Sequence, residues 1–425
     1  MVESELSEIS SELIRTTVRE TVENELKSNN YKINVSSASQ SGDNNFIGVV
    51  YRVSFCKEKK IENGVNSISK LILKVAPQNV ARREQFMSRP CFLREIYLYN
   101  EVLPYFREFE ESKGVIVDEN GFTEYPKCFR TVDIELDECV LLEDLSVSGF
   151  KMIDRYTEEV KADHVYLMMK LLAKYHAISF ALKDQQPEKF KELSSNLDEI
   201  FFCRDSMLRD YFLKQSEDLS NVVSGDEDAH LLEKVKKLLQ QHPMDVTADC
   251  FETGRDAAVI AHGDTWQNNV MYKYDNNGKP IDIRLIDWQI ARHVSPIIDI
   301  VYFIFFCTTK ELRDAHYDDF LKTYHETLSK HITKLGSDPE TLFPYKLMLE
   351  HFHSLGKVGL ILATVMLPII MKDSAQEINL DEISEDVVGN KKELDASIFL
   401  SIESNKRYNQ RLREIIIDMV RLEYI

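Results

Sequence analysis

Residues 260–289 read Ile260-Ala261-His262-Gly263-Asp264-Thr265-Trp266-Gln267-Asn268-Asn269-Val270-Met271, then a polar stretch, then Ile283-Arg284-Leu285-Ile286-Asp287-Trp288-Gln289. An apolar run delivers His262 and Asp264, Asn269 follows, and a second apolar run ends in Asp287. A phosphoryl-transfer site that holds its metal through side chains needs such a set. One Asp orients a hydroxyl nucleophile, an Asn oxygen holds the metal, and a second Asp bridges metal and nucleotide phosphates. The alternative is that each Asp is a turn former at a strand end. Residues 273–280 carry Asn-Gly and Lys-Pro turn signals. They predict a hairpin-like pairing of the two runs that brings Asp264, Asn269 and Asp287 to one end.

The Asp264-to-Asn269 spacing equals that of H-R-D-x-x-x-x-N in protein kinases, with Asp287-Trp288-Gln289 in the place of D-F-G. His262-Gly263-Asp264-Thr265-Trp266-Gln267-Asn268-Asn269, with Ile286-Asp287-Trp288-Gln289, resembles the choline-kinase-like branch of the kinase fold. Within that branch it resembles the ecdysteroid-kinase-like family. Aminoglycoside phosphotransferases and choline kinases are more distant relatives. The resemblance implies an α+β, protein-kinase-like two-lobed fold. Residues 1–140 would form a nucleotide-binding lobe built on an antiparallel sheet, with a leader helix. Residues 141–147 would be the hinge, and 148–425 a mostly helical catalytic and acceptor-binding lobe.

The rest of the chain fits this frame. Leu13, Ile14, Val18, Val22 and Leu26 recur at helical spacing and predict an amphipathic leader helix. A polar, Gly- and Asn-bearing turn at 36–45 precedes a strand expected over 46–55. Such a turn can place backbone N–H groups around phosphates, or it is an ordinary hairpin turn. The resemblance makes Gly42 and Asn45 nucleotide contacts, while Gly48 stands where the family more often has Ser. Lys74 lies in an apolar strand and needs a charge partner. Glu95, on a helix expected over 91–102 and ended by Leu103-Pro104, is the candidate. In kinases that Lys steadies the phosphates and pairs with a helix Glu; the alternative is an edge Lys and a solvent-facing Glu. Residues 115–129 suggest strand and turn. Residues 138–145 read as a strand entering an acidic turn, and the resemblance makes Glu143 and Leu145 part of the hinge whose backbone reads the adenine edge.

Beyond the hinge the pattern is helical. Val165, Met168, Met169, Leu172, Tyr175 and Phe180 read as core, and His176 as a hydrogen-bonded core histidine. A charged helical region over 194–241 has an expected break at Ser224-Gly225-Asp226. By resemblance Asp299 opens a core helix and supports the catalytic loop. His351 and His353, two residues apart, fall on different helix faces and make no metal site.

A net charge of −19 disfavours nucleic acid as a partner, because no basic face for counterion release is evident. The 7 Cys show no C-x-x-C spacing and are odd in number, as reduced thiols would be. The longest apolar runs, 297–307 and 358–371, are too short for a membrane span. These features, with an acidic N-terminus, suggest a cytoplasmic monomer. The expected reaction uses ATP and Mg²⁺ to phosphorylate a hydroxyl of a small-molecule alcohol. Asp264 accepts the hydroxyl proton, Asn269 and Asp287 hold Mg²⁺, and Lys74 with Glu95 steadies the phosphates. By resemblance the acceptor is an ecdysteroid or a related steroid-like or xenobiotic alcohol. Alternatives are choline or ethanolamine as acceptor, and a non-catalytic binding protein that keeps the fold. No A-P-E pattern follows Asp287, which disfavours a protein substrate.

Overall fold

The computed structural model describes residues 6–38, 47–57, 68–223, 226–372, 379–390 and 400–425. Gly42, Asn45 and Phe46 lie outside the described residues, as do Ser224 and Gly225 of the expected break. The chain divides into two compact units. The first comprises Met1–Asn100, Tyr125–Lys151 and Ser374–Lys392; the second comprises Glu101–Glu124, Met152–Asp373 and Glu393–Ile425. The fold is α+β and kinase-like.

The first unit is built on a five-stranded antiparallel sheet. Its strands are β1 (Tyr31–Ser37), β2 (Val49–Lys57), β3 (Ser69–Val75), β4 (Cys128–Val132) and β5 (Cys139–Glu143), in spatial order β1-β2-β3-β5-β4. Helix α1 (Glu12–Leu26) begins where Ser11 Oγ accepts the Ile14 N–H at 3.2 Å. Its Ile14, Val18 and Val22 bury against Ile33, Val35, Leu71, Leu73 and Leu141. This apolar stripe, spaced at three to four residues, is what ties the leader helix to the sheet.

Helices α2 (Val80–Gln85) and α3 (Ser88–Tyr97) follow β3. The fully buried Glu138 carboxylate accepts from Arg83 at 2.8 Å and Arg89 at 2.6 Å, so one acid fixes both helices to the start of β5. The acidic stretch near 380 contains a short helix, Leu380–Ser384, and returns to this unit through Arg82 and Asp381 at 3.3 Å.

Two expectations fail here. Leu103-Pro104 does not end the helical path. A wider turn at Leu98–Val102 leads into a helix at Leu103–Ser112, whose first turn contains Pro104. Proline is tolerated there because the N–H it lacks has no intrahelical partner. Residues 115–129 are not strand throughout. Val117–Asn120 forms one helical turn, and β4 starts only at Cys128.

The second unit packs α4 (Ala162–Gln185) along α6 (Lys310–Lys334), with the wholly buried α5 (Ile297–Cys307) opening from Pro296. Its short strands are β6 (Val259–Ala261), β7 (Val270–Tyr274), β8 (Pro280–Leu285) and β9 (Arg292–Val294). The expected hairpin forms between β7 and β8. Its turn is held by Asp275 Oδ1, which accepts from Asn277 and Lys279 N–H, each at 2.9 Å, and by Gly278 at φ 76°. The run at 259–261 does not join that hairpin; it pairs with β9. Strands adjacent in sequence took the tight turn, and the earlier run took the later edge.

The closing helix α8 (Ile402–Arg421) follows the apolar α7 (Val358–Ile370) in the chain and packs against it. Among the described residues no single helix is long and apolar enough to cross a membrane. Asp418 on α8 meets Arg313 on α6 at 2.6 Å, with both side chains fully buried. Removing one partner leaves an uncompensated buried charge. Asp418→Ala is therefore expected to destabilise the protein by about 3–5 kcal/mol, measured as a lower urea midpoint.

Candidate active site

The loop after β6 is shaped by one buried carboxylate. Asp299, in the first turn of α5, accepts the His262 N–H through Oδ2 at 2.7 Å and the Gly263 N–H through Oδ1 at 2.8 Å. Its carbonyl accepts from Thr265 Oγ1 at 2.7 Å. His176 Nε2 approaches Oδ2 at 3.2 Å, and His176 Nδ1 lies 3.0 Å from the Tyr324 hydroxyl. Burial opposes the charge on Asp299, but hydrogen bonds and nearby imidazoles outweigh it and hold the carboxyl below its ordinary value. Asp299 is thus the support expected of it, and His176 is a hydrogen-bonded core histidine.

Gly263 is at φ 85°. A Cβ there would press on the Ile290 carbonyl and lie 2.7 Å from Arg292 Nε. Only glycine meets both the backbone angle and the close approach. His262 has a defined tautomer. Its Nδ1 accepts the Asp264 N–H at 3.2 Å, so Nε2 carries the proton and donates to the Ile286 carbonyl at 3.0 Å. That bond ties the loop to the residue before Asp287. The Trp288 ring packs on the His262 ring with centroids 4.6 Å apart.

Asp264 stands beyond this scaffold with its carboxyl taken on both sides. Oδ1 accepts from the Tyr302 hydroxyl at 3.0 Å, and Oδ2 accepts from Asn269 Nδ2 at 2.8 Å. Asn269 Nδ2 also donates to the Asp264 carbonyl at 3.0 Å. Both amide hydrogens are therefore used inside the loop, and the amide oxygen is the remaining functional atom. The Ile286 N–H donates to the Asn269 carbonyl at 3.0 Å, continuing the Val270–Leu285 pairing of the hairpin up to Asp287. Asp287 itself adopts a left-handed backbone at φ 67°, which a short polar side chain tolerates best. Burial and the like charge of Asp287 push the Asp264 carboxyl up to about 7, against the hydrogen bonds from Tyr302 and Asn269 and the charge of Arg292.

Three residues of this network were not anticipated. Tyr302 lies three residues after Asp299 on α5, the spacing that puts both side chains on one helix face; that signal was present in the sequence. Arg292 is almost wholly buried, donates to the Gly263 carbonyl at 3.3 Å and meets Glu199 at 2.5 Å. Glu199 in turn accepts the N–H groups of Ile200, Phe201 and Phe202 at 3.0, 2.8 and 3.0 Å. Nothing local in the sequence announces an Arg–Glu contact across that separation.

In the first unit Lys74 on β3 and Glu95 on α3 form an ion pair at 2.8 Å with both side chains buried. The pair satisfies the charges that burial would otherwise penalise. Glu143 ends β5, where its Oε2 accepts the Lys127 N–H at 3.3 Å. Leu145 opens a 3₁₀ turn capped by Asp144, whose Oδ2 meets Arg52 at 2.7 Å.

A model of the ecdysteroid kinase-like family matches residues 42–337, more than half of the chain. The chain belongs to that family. The ecdysteroid kinase-like match includes Lys74, Glu95, Asp264, Asn269, Asp287 and Asp299. It stops short of α7 and α8, which nonetheless pack against the core of the second unit. No curated protein matches the chain. Ecdysteroid kinase-like membership points to a kinase-like phosphotransferase for small molecules.

The raised Asp264 carboxyl has a stability consequence. The folded state holds this proton up to about 7, whereas an unfolded Asp releases it near its ordinary value of 3.8. Between those values the folded protein binds the extra proton, so this group's contribution to stability falls as pH rises. Asp264→Asn lacks that titration. The melting temperature of the variant relative to the unmodified protein is expected to rise as pH is taken from 4 to 8, checked by thermal denaturation at a series of pH values.

Proposed function

We propose that this chain transfers the γ-phosphoryl group of ATP to a hydroxyl of a small alcohol. The observation that carries the reading is Asp264, a carboxyl pushed up to about 7 and held between Tyr302 and Asn269 on a loop that Asp299 fixes. A base with that affinity for a proton is matched to near-neutral pH. In the proposed step the acceptor oxygen bonds to the γ-phosphorus, the bond to the ADP oxygen breaks, and the acceptor proton passes to Asp264. Little covalent work falls to the protein, since such transition states are loose and catalysis is mostly positioning and charge neutralisation.

Asn269 and Asp287 suit Mg²⁺, which prefers a few oxygen ligands from protein and the rest from phosphate and water. The Asn269 amide donates both its hydrogens to Asp264 and so keeps its oxygen as the ligand atom. Among the described residues no group of three or more His, Cys, Asp or Glu could hold a metal, and a Mg²⁺ site of this type needs none. When bound, Mg²⁺ would neutralise the phosphate oxygens. We assign Lys74, oriented by Glu95, to the nucleotide phosphates, with Gly42, Asn45, Glu143 and Leu145 as further nucleotide contacts. Family membership supports an ecdysteroid or a related steroid-like or xenobiotic alcohol as acceptor, and we take a monomer in the cytoplasm as the working form.

Incubation with ATP, Mg²⁺ and a mixed sterol, amino-alcohol and glycoside library, followed by mass spectrometry, is expected to show one acceptor class gaining a single HPO₃. No product from any class, with the protein folded, would refute the reaction. On the acceptor so found, Asp264→Asn is expected to lower turnover by about 10²–10⁴-fold, the scale of a positioned general base. Asp287→Asn should abolish Mg²⁺-dependent turnover.

Tyr302→Phe tests how the base is held. The Tyr302 hydrogen bond lowers the Asp264 pKa, so its loss should raise it further. The acid limb of the pH–rate profile is then expected to move to higher pH, with turnover restored on the alkaline side. An unmoved limb would separate Tyr302 from the base.

A further inference from the structure

The second unit contains a cavity of about 390 Å³ whose lining includes no residue of the catalytic loop. Lys183, Lys191, Arg255, His293, Phe190 and Asp256 are among its walls. It lies on the opposite side of β9 from the catalytic network. Arg292 on that strand turns to the Gly263 carbonyl, and its neighbour His293 turns to the cavity, as successive strand residues must.

The charge here runs against the rest of the molecule. Lys183, Lys191 and Arg255 face a single acid, Asp256, in a chain whose net charge is −19. Lys183 Nζ donates to the Arg255 and Asp256 carbonyls at 3.3 and 2.6 Å, bonds that orient the ammonium without neutralising it. Lys191 and Arg255 are exposed, and among the described residues neither side chain makes a salt bridge. His293 registers the resulting field: burial, Lys183 and Arg255 push its imidazole down to about 4, against the smaller opposing charge of Asp198, which does not line the cavity. A positive concavity with partly apolar walls concentrates anions.

Two further features narrow the ligand. The Phe190 ring lies under Lys183 Nζ at 5.7 Å and meets the His293 ring edge-on at 5.4 Å, so an apolar wall adjoins the cations. His293 Nε2 is buried and has no hydrogen-bond partner among the described residues. That atom is enclosed, so His293 meets the cavity through the rest of its ring. Three cations against one acid match a dianionic head better than a carboxylate, and a phosphate monoester carries close to two charges at neutral pH.

We propose that this cavity is a second ligand site, which takes the phosphate monoester of an apolar alcohol. The phosphate sits on Lys191 and Arg255, and the apolar body lies along Phe190 and Pro187. This is also the chemical class of the product of the proposed reaction. The site stands on its own lining, and its test needs no turnover.

The experiment is calorimetric titration of the full chain with phenyl phosphate, phenol and inorganic phosphate. It is repeated on the double variant Lys191→Glu/Arg255→Glu and on Phe190→Ala. The two basic residues are exposed, so the charge variant should fold, which its melting temperature checks. Phenyl phosphate is expected to bind the unmodified protein at least ten-fold more tightly than the charge variant, and more tightly than either phenol or inorganic phosphate. ATP affinity should be equal in those two proteins. Equal phenyl phosphate affinity in them would place the binding elsewhere and overturn the site. Inorganic phosphate binding as tightly as phenyl phosphate, or Phe190→Ala leaving the phenyl phosphate affinity unchanged, would overturn the apolar half of the assignment. Binding without phosphoryl transfer to any acceptor would sink the proposed reaction and leave this site standing; transfer without binding would do the reverse.

Discussion

The structure around the loop of residues 262–269 depends on the Asp299 carboxylate. A buried carboxylate is tolerable only when donors surround it. Asp299 has two backbone N–H groups from the loop and an imidazole behind it, while its carbonyl takes the Thr265 hydroxyl. The loop cannot leave without stranding that charge, so His262, Gly263 and Thr265 are held to one helix start. Asp264 is then presented from a fixed backbone. The second layer, His176 and Tyr324, comes from α4 and α6, the longest helices of the unit. A site on such elements is better positioned than one carried by a free loop.

Two acids of one loop region are driven in opposite directions by their neighbours. Burial works against ionisation at both. At Asp299, hydrogen bonds and imidazoles overcome it, and the group is held ionised. At Asp264, the like charge of Asp287 adds to burial, and the donors Tyr302 and Asn269 only partly offset the two. Environments that push paired titratable groups apart commonly separate a structural acid from a reactive one. The same economy appears in the first unit, where Glu95 and Glu138 are fully buried and each is matched to a cation, Lys74 in one case and Arg83 with Arg89 in the other.

Arg292 and Glu199 form a second brace. The guanidinium is stacked between the Phe202 and Phe251 rings, at 5.0 and 5.1 Å, and reaches both the Gly263 carbonyl and Glu199. Glu199 gathers three successive N–H groups into one anion site, which organises the segment before Phe202. The strand bearing Arg292 therefore carries two chemistries on its two faces. One supports the loop, and the other lines a positive cavity.

Much of this was legible in sequence because it is local. The Asp264-to-Asn269 spacing, the Asn277-Gly278 turn and the Lys74 strand followed by the Glu95 helix each depend on residues within a turn or a hairpin of one another. So does the leader-helix stripe of Ile14, Val18 and Val22. The family follows from the same short stretches. What tertiary structure alone decided is of longer range. It set the pairing of Val259–Ala261 with Arg292–Val294 rather than with the β8 run, and the continuation of helix past Pro104. It also brought Glu199 to Arg292 and Tyr302 to Asp264. It alone made Asp264 a weak acid and Asp299 a strong one, because both are Asp in sequence and differ only in what burial places around them. Periodicity and spacing report which face a residue takes, whereas desolvation and the neighbouring charges that set its chemistry exist only once distant segments are packed together.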